Sequence, residues 1–125
     1  MRRIITAAVI QNKNLLVVRK NQTWIIPGGK PNQEESDLEC LAREIQEELS
    51  GTEIENIRYY GMFTGKAPHT KDIVESFVYL ADIKGELKSP SAEISGAKFI
   101  RDYRQDNVSE VVEKVFESLK ERGYL

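Results

Sequence analysis

The chain is predicted to be an α/β protein, with a mixed β-sheet between helices. Three observations carry that prediction. Two short, nearly continuous apolar runs open the sequence, at residues 3–10 (RIITAAVI) and 14–19 (NLLVVR). Two amphipathic stripes of helical period follow, one mid-chain and one near the C-terminal end. The segments between them are strand-like, giving the order β-β-β-α-β-β-β-α, which places a sheet between a helix on each face.

The first two runs join at Gln11-Asn12-Lys13 and predict a β-hairpin covered on both faces, because neither strand alternates with polar residues. Thr23-Trp24-Ile25-Ile26 predicts a third short strand, stopped at Pro27. Pro31-Asn32-Gln33 keeps the chain irregular as far as Ser36, an N-cap residue with Glu39 at N3 completing a capping-box pattern. The first helix then spans about 37–49, with Leu38, Leu41, Ala42, Ile45 and Leu49 as its core stripe. Strands are expected at 53–64 and 73–83, a turn at Lys84-Gly85-Glu86, and a last strand at 97–100. Asn107, or Asp106 before it, is expected to cap a second helix with Glu110 at N3 of the Asn107 register. Its stripe is Val108, Val111, Val112, Val115, Phe116 and Leu119, and Gly123 ends it.

At 125 residues the chain is expected to be one domain spanning residues 1–125. A net charge of −2 argues for neither a nucleic-acid partner nor a membrane surface. No apolar run approaches the roughly 20 residues of a membrane span, and the N-terminal MRRIITAAVI carries no cleavage-site pattern. The single Cys40 excludes an internal disulfide framework and fits a reducing compartment. The expected location is cytoplasmic.

The chemistry concentrates between Gly29 and Gly51. Glu44, Glu47 and Glu48 stand at i, i+3 and i+4, so a helix holds their carboxylates on one flank beside the apolar stripe. Such a cluster repels itself unless a cation neutralises it. Mg²⁺ or Mn²⁺ prefers carboxylate oxygens and waters, completed by substrate phosphates. A bound metal can hold a pyrophosphate and orient a water, and a neighbouring glutamate can accept that water's proton. Pro27-Gly28-Gly29 forms a tight loop able to offer backbone groups to metal or phosphate, and Lys30 adds a cation. Arg43 is placed to orient a carboxylate such as Glu35.

These residues carry a resemblance. Gly29, five residues, Glu35, seven residues, then Arg43-Glu44-Ile45-x-Glu47-Glu48 resembles the signature box of the Nudix hydrolases, and Trp24-Ile25-Ile26-Pro27-Gly28-Gly29 is similar to the usual approach to it. The resemblance implies a Nudix-like α/β/α sandwich that hydrolyses a nucleoside diphosphate linked to another moiety, with Mg²⁺ or Mn²⁺. It implies metal binding by Glu44, Glu47 and Glu48 together with the Gly28 carbonyl. Glu44 or a later glutamate would act as base, and Glu35 and Arg43 would form a supporting pair. It also points to a further glutamate before the last strand, which Glu93 fits, with Glu75 as rival. One departure stands out: the family's glycine two places beyond the last glutamate is Ser50 here, and Gly51 follows one step later.

Outside the box, each candidate has a plainer reading. Cys40 shares the carboxylate flank, but hard-metal preference makes it a small packing residue. Trp24 is a strand core residue or a base-stacking one. Arg19 ends a strand leading toward the glycine turn and is a candidate anion contact. His69 sits in the polar loop 66–71, as an exposed loop residue or at the substrate's border with Lys66 and Lys71. Asn107 is a helix cap or a base-recognition residue. Among substrates, a nucleoside triphosphate, normal or oxidised, is preferred over ADP-ribose and dinucleoside polyphosphates. The chain is minimal in length, and Gly-Gly-Lys resembles the sanitising, MutT-like members. The alternatives are a non-catalytic Nudix-like module that senses a nucleotide, and a purely structural small α/β protein. A homodimer is also an expectation, on the strength of a β-rich surface.

Overall fold

The computed structural model describes residues 2–70, 72–86 and 93–125. Lys71, named above in the polar loop, lies outside them. Strands β1 (Arg2–Gln11) and β2 (Asn14–Lys20) form the expected hairpin. It turns at Asn12 and Lys13, both at positive φ, as the favoured two-residue turns require. A second such turn at Asn21 and Gln22 leads into β3 (Thr23–Ile25). The chain continues through β4 (Gly28–Gly29), α1 (Asp37–Glu48), β5 (Thr52–Lys66), β6 (Ile73–Gly85), β7 (Gly96–Ile100), a 3₁₀ turn at Tyr103–Gln105 and α2 (Glu110–Glu121).

The seven strands make one sheet in the order β3-β2-β1-β6-β5, with β4 added to β1 and β7 to β2. The sheet is mixed, as predicted, because β1 and β6 run parallel over Arg2–Val9 and Val74–Ala81 while the other named pairs are antiparallel. Period-2 alternation divides the apolar residues of β1 and β2 between two cores. Ile5, Ala7, Val9, Leu16 and Val18 meet Cys40, Leu41, Ile45 and Leu49 of the α1 region. Ala8, Leu15 and Val17 meet Val111, Val112, Val115, Phe116 and Leu119 of α2. Both faces of the hairpin are covered, which is why its strands carry so few polar residues.

The expected capping box of α1 is present: Glu39 N–H donates to Ser36 Oγ, and Ser36 N–H donates to Glu39 Oε1. The expected stripe is only half right. Leu41, Ile45 and Leu49 are buried, but Leu38 is 50% exposed and Ala42 is exposed. The inward positions are instead Cys40, Glu44 and Glu48, which face β4. A two-glycine strand has no side chains to fill the gap, so polar helix residues pack directly against backbone.

The cap of α2 is also corrected. Ser109 is the N-cap, with Val112 N–H donating to its Oγ, and Glu110 is the first helical residue. Asn107 is held extended instead, since Trp24 N–H donates to Asn107 O and Ser109 N–H donates to Trp24 O. This pairing with β3 delays the helix. Gly123, at φ +86°, ends α2 as expected: Gly123 N–H donates to Lys120 O and Tyr124 N–H to Leu119 O, the Schellman pattern.

Candidate active site

The site forms where α1 meets β4. Gly28 has φ +149°, and a Cβ there would lie 2.0 Å from Ile5 O. Only glycine can therefore pair here with β1. Its N–H donates to Glu48 Oε1 at 2.8 Å. A Cβ on Gly29 would lie 2.5 Å from the Glu44 carboxyl carbon. The glycine pair thus makes the room in which two helix carboxylates approach the backbone.

Glu48 is 5% exposed, and burial pushes its carboxyl up to about 8, against the pull of the Gly28 hydrogen bond. Glu44 is partly buried and also raised, chiefly by burial, while Arg43 pulls it the other way. Glu47 is the outermost of the set, with 58% of its side chain exposed. Arg43 ties the flank together. Its Nε and Nη2 take both Glu35 oxygens at 2.8 and 2.9 Å, a bidentate pair, and its Nη1 reaches Glu44 Oε1 at 2.9 Å and Glu47 at 3.4 Å. Glu35 also accepts the Asn32 N–H at 2.8 Å, and the Arg43 pair holds its carboxyl down to about 2. Cys40 Sγ lies 3.5 Å from Gly29 O, and burial raises the thiol to about 11, so it is a packing residue with no thiolate to offer.

Among the described residues, no three carboxylate, thiol or imidazole groups converge on one point. Glu44 and Glu47 turn toward Arg43 while Glu48 turns toward Gly28. The donor chemistry still suits a hard divalent cation: three carboxylates on one flank, two of them raised by burial, beside a glycine backbone.

On the far side of the glycine pair lies a cavity of about 320 Å³, within the range of small-molecule sites. Lys20, His69 and Lys66 line it. The histidine singled out from sequence does line the cavity, and its Nε2 lies 3.4 Å from Thr23 Oγ1. Three others do not. Arg19 donates to Ser95 Oγ at 2.9 Å and lies 5.8 Å from the Trp24 ring centre. Asn107 Nδ2 donates to Gln22 O at 3.1 Å. Lys30 is exposed, and its carbonyl accepts from Arg43 Nη2. Trp24 is flanked by Arg19 and by Lys98, whose Nζ is 4.5 Å from the ring centre, and does not line the cavity. Glu93 is exposed and lies 3.5 Å from Lys20 Nζ. Glu75 sits within β6, opposite Arg3 and Thr64.

The residue that sequence reasoning missed is Lys20. Its charge acts on both Glu44 and Glu48. Strand alternation was the available signal: Lys20 shares a face with Leu16 and Val18, which pack on the α1 side, whereas Arg19 shares the opposite face with Leu15 and Val17.

The family model for the NUDIX domain matches residues 1–105. The chain belongs to the Nudix family. As a Nudix hydrolase it is a pyrophosphohydrolase, and the family as a whole acts on nucleoside diphosphates linked to another moiety, generally with a divalent metal. Solved Nudix structures share the fold at low identity. The MutT NUDIX hydrolase from Burkholderia pseudomallei superposes with TM-score 0.78 at 20% identity, covering 93% of this chain and 95% of that one. A NUDIX hydrolase from Nitrosomonas europaea gives 0.80 at 14% identity, covering 98% and 90%. The NUDIX domain of Shewanella oneidensis NrtR, complexed with ADP ribose, gives 0.77 at 16% identity, covering 98% and 88%. No curated protein matches the chain. No helix among the described residues is long and apolar enough to cross a membrane.

Proposed function

We propose that this Nudix hydrolase cleaves a nucleoside triphosphate, normal or oxidised, to a nucleoside monophosphate and pyrophosphate by attack of water on phosphorus. The observation that carries the reading is the Gly28–Glu48 junction: carboxylates pressed against a glycine strand, with a cation-lined cavity immediately behind it. In this reading Glu44, Glu47 and Glu48, with the Gly28 carbonyl, hold Mg²⁺ or Mn²⁺. When bound, the metal would hold the phosphate bridge and polarise the phosphorus.

The chain's own residues do the rest. Arg43 fixes Glu35 and Glu44 in place, so the cluster is oriented before substrate arrives. Lys20 and Lys66 offset the negative charge of the phosphates, and His69 adds a hydrogen-bonding group at the rim. A carboxylate takes the proton of the attacking water. Glu44, packed against Gly29 beside the junction, is the first candidate, and Glu93, beside Lys20, is the alternative. Arg19, Lys30 and Asn107 remain substrate contacts only if substrate extends beyond the cavity.

ADP-ribose is the second reading, supported by the likeness to a NUDIX domain solved with that ligand. Dinucleoside polyphosphates and non-catalytic nucleotide sensing rank below it. The buried, unpaired Cys40 supports a reducing, cytoplasmic setting, and the net charge of −2 supports a small-molecule partner over nucleic acid or membrane. Exposed Tyr59 and Met62 on β5, an edge strand, support a homodimer, which sedimentation would test.

A nucleotide panel in ¹⁸O water with Mg²⁺ tests the function. The reading expects nucleoside monophosphate and pyrophosphate as products, with ¹⁸O in one of them. No cleavage of any nucleotide above background would overturn it.

A further inference from the structure

The cavity behind Gly28–Gly29 has a floor that the proposed hydrolysis does not use. Thr6 Oγ1 and Ser76 Oγ lie 2.9 Å apart on the parallel strands β1 and β6, 2% and 0% exposed, and both residues line the cavity. Two hydroxyls bring two protons, and a single hydrogen bond between them uses one. The second O–H has no acceptor among the described residues. Both residues border the cavity, so that O–H is left to donate to whatever fills it, water or a ligand atom.

The surroundings say what kind of group that is. Ile4, Ile25, Ile26, Val74 and Val111 present apolar walls around the hydroxyls. Arg2, Lys20 and Lys66 line the same cavity, and no Asp or Glu among the described residues does. An occupant therefore combines an apolar body, an acceptor atom at its buried end and an anionic tail toward the cations. A nucleobase on a phosphorylated ribose has that layout.

We propose that the Thr6–Ser76 pair is a specificity element: its unspent O–H donates to an acceptor atom of the substrate's nucleobase. The proposal rests on the nucleotide reading above but not on turnover. The pair acts on recognition, and the bond it forms is lost when the ring offers no acceptor.

Equilibrium binding without metal keeps the two readings separable. The probes are adenosine and inosine 5′-monophosphates, whose bases carry acceptors, and indole riboside 5′-monophosphate, an apolar ring of similar outline. At least one acceptor-bearing nucleotide is expected to bind wild type about tenfold tighter than the indole compound, the usual scale for one buried hydrogen bond. Ser76→Ala and Thr6→Val, each close in shape, should close that gap and tighten indole binding, a gain that mere structural damage would not produce. Equal affinity for all three on wild type, a gap that survives both substitutions, or no binding at all would overturn the proposal. Hydrolysis of the nucleotide panel with Mg²⁺ is read separately, so failure here leaves the pyrophosphohydrolase reading standing.

Discussion

The Gly28 amide donates to Glu48 Oε1 at 2.8 Å, joining a two-residue strand to the last turn of α1. That single bond fixes a buried carboxylate at the point where the glycine turn, the helix flank and the cavity meet. In the proposed mechanism it sets the position of a metal ligand, so Glu48→Gln should cost several kcal/mol of transition-state stabilisation. In steady-state assays with Mg²⁺ that is a loss of roughly a hundredfold or more in kcat. The amide keeps the Gly28 hydrogen bond, so circular dichroism should show an intact fold. An active variant would remove Glu48 from the mechanism.

The glycine pair separates two effects that sequence alone merges. Gly28→Ala places a Cβ against Ile5 backbone and forces an alanine to φ +149°, so it should destabilise the protein by about 2–4 kcal/mol in urea unfolding. Gly29→Ala pushes on the Glu44 side chain instead, which can move. It should lower kcat with a much smaller change in stability. Equal stability losses for the two would contradict this division.

Arg43→Lys tests whether the guanidinium matters for its geometry or only for its charge. Lysine cannot hold both Glu35 oxygens and Glu44 at once. Activity should fall about 10–100-fold, the scale for a lost supporting contact around a metal site. Full activity in the lysine variant would make Arg43 a charge and no more.

The raised Glu48 carboxyl makes a signed prediction about pH. Its proton is held more tightly in the fold than in the unfolded chain, so its contribution to stability is complete below about 4.5 and is lost as pH rises through about 8. Metal-free protein should therefore melt at progressively lower temperature across that window, and Glu48→Gln should flatten the slope. Added Mg²⁺ should stabilise wild type more at high pH than at low, because proton and metal compete for one group. Glu35 works in the opposite direction: its lowered carboxyl supports the fold above about 4.5 and fails as pH falls through about 2.

Much of this arrangement was legible in the sequence, for local reasons. Ser36 and Glu39 satisfy each other within one turn of helix, so the start of α1 could be read from four residues. The unbroken apolar runs of β1 and β2 announced strands covered on both faces. What escaped depends on distant partners. Asn107 is extended because Trp24, far away in sequence, takes its carbonyl, and nothing near residue 107 records that. Leu38 and Ala42 face outward because the partner of α1 is backbone glycine, against which glutamates fit better than leucines. Lys20 carries no motif of its own, and only the two-residue alternation of β2, which puts it on the face of Leu16 and Val18 and Arg19 on the other, points it toward α1. Thr6 and Ser76 carry no motif, and only the pairing of β1 with β6 brings them together.

The central claim is that Glu44, Glu47 and Glu48 hold a divalent cation beside Gly28. Mn²⁺ binding followed by electron paramagnetic resonance tests it without any substrate. Wild type should bind Mn²⁺ at pH 8, Mg²⁺ should displace it, and Glu48→Gln should weaken binding about tenfold or more, the scale of disturbing a metal site's ligand set. Indistinguishable Mn²⁺ affinities for wild type and Glu48→Gln, with both folded, would contradict the account.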